Sequence, residues 1–418
     1  MRYAPLEKLG FPMTETASTP IDSTPQSDDR IARRNVFVLA AAQALGGAGA
    51  PICISLGGIV GHYLLGTDKS LATLPVTGFV VGTALATLPA GMLARKLGRR
   101  AGLRMGSLAA VLGGLLAAYA IFLSSFWFFC LGVLFAGAAS AFVQQYRFAA
   151  ADSASESFRP KAISWVMAGG VLAAIIGPQT ASLTKDMLAP TLYAGAFVGL
   201  SVLAALSWIA LGFLKAPPIV TVQSTAVGRP LLEIMSQSRF IVAVLCAVSS
   251  YALMSFVMTA APMAMVSHGH SMSNALLGIQ WHVMAMFAPS FFTGSLIQRF
   301  GKERIIVTGL LLLAGCAALA LAGSHLAHFW GALILLGVGW NFGFIGATAM
   351  LTETYRPEEK NRVQAVNDFL VFGFVAAASL SSGGILNAFG WNMVNVIVFP
   401  VVIITLVMLF FTRKNSTG

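Results

Sequence analysis

The sequence predicts an all-α membrane protein with twelve transmembrane helices in two six-helix, pseudo-symmetric halves. Three observations predict it. Hydrophobic residues make up 57% of the 418 and charged residues only 10%, against about 25% charged in soluble domains. Apolar stretches of about 20 residues recur along the chain, each long enough to cross a bilayer as a helix. Two short motifs occur twice, each pair offset by close to half the length, the mark of an internal duplication.

Residues 1–34 contain the polar run TETASTPIDSTPQSDDR and lack the layout of a cleavable signal peptide, so a disordered cytoplasmic tail is expected there. Apolar spans follow at 35–58, 71–94, 102–123, 126–149, 162–183 and 192–214, forming an N-terminal bundle over 35–214. A cytoplasmic linker over 215–238 leads to spans at 239–265, 273–298, 304–323, 327–351, 363–386 and 391–412. These make a C-terminal bundle over 239–412, with a cytoplasmic tail at 413–418. The 42 glycines suit helices that pack closely in lipid through small residues.

With the N-terminus inside, all 26 Lys and Arg except Lys69 and Lys185 fall on the cytoplasmic side. A multi-pass protein of a bacterial inner membrane with both termini cytoplasmic is the expectation. The net charge of +11 then reflects topology and gives no ground for a nucleic-acid partner. Cys53, Cys130, Cys246 and Cys316 all lie in apolar spans and read as small core residues, not as disulfides or a zinc site.

GMLARKLGRR (Gly91–Arg100) follows the second span and GSLIQRFGKE (Gly294–Glu303) the eighth. SESFRP (Ser155–Pro160) and TETYRP (Thr352–Pro357) join the fourth and fifth spans of each half. All four loops come out cytoplasmic, as parallel repeats require. The hexapeptide can cap helix ends and start the next helix at its Arg-Pro pair, so a bracing role is expected, not contact with cargo.

A Gly-x-x-x-charged-x-x-Gly-Arg-Arg loop after the second of twelve spans resembles the major facilitator superfamily, over essentially the whole chain beyond the tail. The resemblance implies alternating access around a midplane site, and a monomer. The family's usual acidic residue falls on Arg95, and on Gln298 in the second half. In the family that acid helps lock the inward gate by pairing across the halves. Arg95 can form an inverted gate with Asp152, Glu156 or Asp368, or stand as ordinary positive-inside charge. No Gly-Lys-Ser/Thr phosphate loop or hydrolase constellation occurs, so a transporter without a cofactor is expected, not an enzyme or an ATP-driven pump.

Ionisable groups at lipid depth are costly and face the bundle interior. Gln144, Gln145, Tyr146 and Arg147 form such a set on the fourth span, with Gln364, Asn367 and Asp368 on the eleventh. Asp368 is the one acid placed inside a span, hence the candidate for proton coupling or, with Arg147, for an ion pair at the inner mouth. Gly177-Pro178 can bend the fifth span.

Residues 254–286 hold seven of the 17 methionines together with His268, His270 and His282. Met254 and Met258, and likewise His282 and Met286, are four apart and share a helix face. Thioether and imidazole groups suit Cu(I), which the outer loop MAMVSHGHSM can hand inward. Methionine as flexible core filler is the plainer alternative. These pairs, together with the stretch QWHVMAMFAPSFFTG, resemble one branch of the superfamily, which joins CcoA-like copper importers to RfnT-like riboflavin transporters. For copper, the resemblance implies Met254, Met258, His282 and Met286 as ligands. For riboflavin, Trp281 and Trp340, with Phe287, Phe342 and Phe344 nearby, can stack on the isoalloxazine. Gln280, Asn341, Gln364 and Asn367 offer amides to its polar groups. Residue chemistry leans to copper and the long polar N-terminal segment to the riboflavin branch. Riboflavin import is put first, copper import second, and export of a drug or metabolite third.

Overall fold

The computed structural model describes residues 29–155, 158–215 and 228–415. Every regular element among them is helical. The first half comprises α1 (Asp29–Gly46), α2 (Gly49–Leu64), α3 (Leu74–Lys96), α4 (Arg99–Phe122), α5 (Phe126–Val143), α6 (Tyr146–Asp152), α7 (Arg159–Thr184) and α8 (Ala194–Leu211). After the short α9 (Leu231–Met235) come α10 (Ser238–Ser267), α11 (Met272–Phe287), α12 (Ser290–Phe300) and α13 (Lys302–Ala322). Then follow α14 (Leu326–Leu351), α15 (Lys360–Val396) and α16 (Val398–Asn415).

Among the described residues, ten helical stretches are long and apolar enough to cross a membrane, and the bent pair α11–α12 makes an eleventh. One of the ten, Arg362–Phe411, holds 50 residues. At 1.5 Å per residue that is about 75 Å, more than twice a bilayer's hydrocarbon thickness. It breaks at Gly390, where φ is 78° and ψ 179°, values that favour a residue without a Cβ. Dividing it there gives the twelve spans expected from hydropathy.

The helical ends outrun the apolar stretches. Helix α1 begins at Asp29, inside the segment expected to be a tail, while residues 1–28 and most of the linker, 216–227, lie outside the described residues. The early start has local support. Arg34 donates to Phe213 O at 3.4 Å, and the Asn35 amide donates to Lys215 O at 2.7 Å, so α1 is tied to the end of α8. At the other terminus α16 continues to Asn415.

Each half has its own core. In the first, Ile52, Leu56, Phe129 and Phe197 are fully buried; in the second, Met265, Leu310, Leu313 and Cys316 are. Lipid offers no hydrophobic gain between helices, so close packing must hold them together. At Gly337 a Cβ would stand 2.5 Å from His282 O, so its absence lets α14 lie directly on the backbone of α11. The four cysteines are unbridged thiols.

The repeated loops are joined to one another in the second half. Glu353, from TETYRP, pairs with Lys302, from GSLIQRFGKE. The Arg239 guanidinium bridges Glu353 and Glu303, each at 2.8 Å. The returning linker is fastened here too. Arg229 grips Glu359 through Nε and Nη2 at 2.9 and 2.8 Å, and its Nη2 also donates to Thr354 O at 3.1 Å. The second hexapeptide thus braces neighbouring loops through ion pairs, while α15, which follows it, starts without a side-chain cap.

The halves meet through α2 on α10, α3 on α15 and α7 on α11. These contacts gather at the end of the bundle away from the described chain ends. There Thr77 on α3 donates to Ser379 on α15 at 3.3 Å, and Gln179 on α7 donates to Gln280 on α11 at 2.9 Å. A Cβ on Gly383 would stand 2.3 Å from Thr73 Oγ1, so α15 and α3 nearly touch. Arg147, toward the opposite end, is exposed.

Candidate functional site

A ring cluster from four helices forms one wall between the halves. Tyr251 on α10 is its hub, edge-on to Trp340 at 5.3 Å, Phe344 at 5.1 Å and Phe372 at 5.7 Å between centroids. Trp340 and Phe344, four apart on α14, stack at 5.4 Å with planes 13° apart. Phe287, the last residue of α11, meets Trp340 edge-on at 6.5 Å. From the helix rise, Tyr251, Phe287 and Trp340 all sit roughly 20 Å along their spans, near mid-depth. The Trp340 ring nitrogen is buried with no hydrogen-bond partner. An indole N–H can only donate, so a flat ligand carrying an acceptor would satisfy it.

Charge stands beside this wall. Arg147 of the first half, and Tyr251 and Asp368 of the second, act on one another electrostatically, yet no direct ion pair links Arg147 to Asp368 among the described contacts. The Arg147 guanidinium lies 4.8 Å from the Phe148 ring. Asp368 Oδ1 accepts from the Asn367 amide at 3.1 Å, while Asn367 Oδ1 is buried and unpartnered. The side chains of Arg95 and Asp152, and all of Glu156, lie outside the described residues.

The remaining amides divide by role. Asn341, adjacent to Trp340, is fully buried and turned the other way. Its Nδ2 donates to Met286 O and to Ser290 Oγ, each at 2.7 Å, and its Oδ1 accepts from Thr293 at 2.6 Å. Those bonds stitch the 43° break between α11 and α12, leaving its amide no free donor. Gln364 donates to the Tyr355 hydroxyl of the hexapeptide at 2.9 Å, which places it at the loop end, not at mid-depth. Gln280 is held by Gln179 where the halves join. Trp281 is 41% exposed and stands outside the ring cluster.

The Met and His pairs lie in one half. Met254, Met258 and Met286 belong to the core of the second half, and His282 is fully buried in that half as well. His282 Nδ1 lies 2.8 Å from Leu333 O, a partner that can only accept, so Nδ1 carries the proton. Its Nε2 is then the lone-pair nitrogen, and it is buried without a partner. The loop histidines are engaged elsewhere: His268 Nδ1 lies 2.7 Å from Ala264 O and His270 Nε2 2.8 Å from Ser324 O. Both rings rest edge-on to Phe329.

Sequence reasoning missed Tyr251 and Phe372, because single aromatic residues in apolar helices carry no local signal. Only their convergence with Trp340 distinguishes them.

Known proteins agree with this architecture. The family model for the Major Facilitator Superfamily matches residues 35–289 and 244–418. The chain is 52% identical over 390 residues to the riboflavin transporter RfnT of Brucella anthropi, covering 93% of this chain and 98% of that protein. It is 28% identical to two uncharacterized MFS-type transporters of Bacillus subtilis. These are YddS, with 94% of each chain covered, and YdeG, with 87% of each covered. Twelve spans in two halves, the duplicated loops and matches along nearly the full length lead to one conclusion: the chain belongs to the major facilitator superfamily.

Proposed function

We propose that this transporter imports riboflavin across the bacterial inner membrane by alternating access, working as a monomer with both termini cytoplasmic. The observation that carries the reading is the 52% identity to a riboflavin transporter along nearly the whole chain. The ring wall supports it physically. Tyr251, Phe287, Trp340, Phe344 and Phe372 offer flat apolar faces of the kind on which an isoalloxazine stacks, beside an unpaired indole N–H. With both termini cytoplasmic, the seal at the opposite end supports an inward-facing reading of this arrangement. Asp368, near Arg147 but not paired to it, is the group we assign to proton coupling, with Asn367 orienting it. Gln280 joins the seal, and Asn341 and Gln364 support helices and loop.

A second reading, copper import, is favoured by one observation: the His282 Nε2 lone pair is buried without a partner in the half whose core also holds Met254, Met258 and Met286. Histidine ligands commonly donate their other ring N–H to a carbonyl, as Nδ1 does here to Leu333. One pair of assays separates the two. Expression in a riboflavin auxotroph should restore growth on low riboflavin and uptake of labelled flavin, and His282→Ala should retain part of that uptake. Rescue of a copper-uptake mutant that His282→Ala abolishes, without flavin uptake, would overturn riboflavin in favour of copper.

A further inference from the structure

Opposite the ring wall, the first half presents one side chain whose surroundings are built around it. Gln43 lies on α1, about 20 Å into its span and four residues before the break at Gly47 that separates α1 from α2. Three glycines make its niche. A Cβ on Gly47 would stand 3.0 Å from Gln43 Nε2, and one on Gly169 would stand 3.0 Å from Gln43 Cβ. A Cβ on Gly170 would stand 3.8 Å from Gln43 Nε2 and 3.7 Å from the Phe287 ring. The Gln43 amide and Phe287 therefore flank the same point, where α1 and α7 of one half face α11 of the other.

Phe287 belongs to the ring wall through Trp340. The Gln43 side chain forms no hydrogen bond with any described residue, and it is only partly buried. An amide at mid-depth, beside a helix break and open toward an aromatic wall, is a costly feature unless something pairs with it.

We propose that Gln43 is the specificity-determining residue supplied by the first half, pairing through its amide with the imide edge of the flavin ring. This inference rests on the riboflavin reading. The chemistry is complementary on both sides. The imide has one N–H donor between two carbonyl acceptors, and a glutamine amide has one carbonyl acceptor beside an NH₂ donor. Two parallel hydrogen bonds form: flavin N3–H to Gln43 Oε1, and Gln43 Nε2–H to a flavin carbonyl. The flavin plane then spans from Gln43 to the rings on α10, α11 and α14, so the ligand itself bridges the halves. Gly47, Gly169 and Gly170 leave the room this pairing needs.

The test uses the full-length protein in detergent and follows quenching of flavin fluorescence on binding. The ligands are riboflavin and 3-methylriboflavin, in which the imide N–H is blocked. Wild-type protein should bind riboflavin about tenfold or more tightly than the methylated compound, because a site built around a hydrogen bond rejects a ligand lacking it. Gln43→Ala should weaken riboflavin about tenfold, leave 3-methylriboflavin nearly unchanged and so erase the preference. Retained binding of the methylated compound also certifies that the variant is folded. A preference that survives in Gln43→Ala overturns the assignment, as does equal loss of both ligands, which would make Gln43 a structural support. No quenching by wild-type protein would overturn the riboflavin reading and this assignment together.

Discussion

Trp340 and Asn341 are neighbours on α14 and have opposite duties. The indole faces the ring cluster with its N–H unpaired, while the amide beside it is consumed by the α11–α12 break. Their depth was legible from position in an apolar run. Their direction was not, because α14 is apolar on every side and adjacent residues differ only by about 100° of rotation. For the same reason the sequence does not show that Tyr251 joins the rings and that Trp281 stands outside them. If the rings hold the flavin, Trp340→Ala should weaken riboflavin binding by about five- to 150-fold, from the ~1–3 kcal/mol that stacking on an aromatic side chain contributes. Trp340→Phe should keep most of the stacking and lose the indole donor, giving an intermediate affinity. Fluorescence titration of both variants checks this; equal affinities in Ala, Phe and wild type would move the site elsewhere.

Elements show the same division between what local chemistry announces and what only packing reveals. Spans, loops and duplication were readable because a membrane imposes length and apolarity on every crossing helix. Breaks were not readable: Gly177-Pro178, the one bend the sequence suggests, lies inside a single helix α7, while the 43° break falls between α11 and α12. The linker was the least legible element: nothing in its sequence pairs Arg229 with Glu359, which are far apart in the chain. Yet that contact fastens the start of the second half to the foot of α15. Hydrogen bonds from Arg229 hold the Glu359 carboxyl well below the usual carboxylate range. A lowered folded-state value contributes stability that is fully present above the unfolded value, about 4.3, and is lost as pH falls through the folded one. Arg229→Ala should therefore lower the unfolding midpoint at pH 7, and the gap to wild type should narrow as the pH drops below about 4. Thermal unfolding in detergent across that range measures it. A gap that stays constant into the acid range would show that the charge contact contributes nothing.

At the scale of the molecule, contacts within a half and contacts between halves differ in kind. Within the second half, charged networks join neighbouring loops: Arg239 with Glu303 and Glu353, and Lys302 with Glu353. Between halves, the described hydrogen bonds are neutral: Thr77 to Ser379 and Gln179 to Gln280. A neutral hydrogen bond contributes about 0.5–1.5 kcal/mol net, so a seal of a few such bonds is within reach of a bound ligand's preference for one state. A rocking transporter needs that asymmetry, since its halves must part once per cycle while each stays intact. Fixing the seal covalently should stop the cycle. With Thr77→Cys and Ser379→Cys, the thiols would replace two hydroxyls 3.3 Å apart, close enough for a disulfide to form with small adjustment. Oxidation should arrest riboflavin uptake while leaving flavin binding from the open side measurable in detergent, and reduction should restore uptake. Unimpaired uptake by the fully oxidised protein would mean that the two helices need not separate, and alternating access across this seam would have to be abandoned.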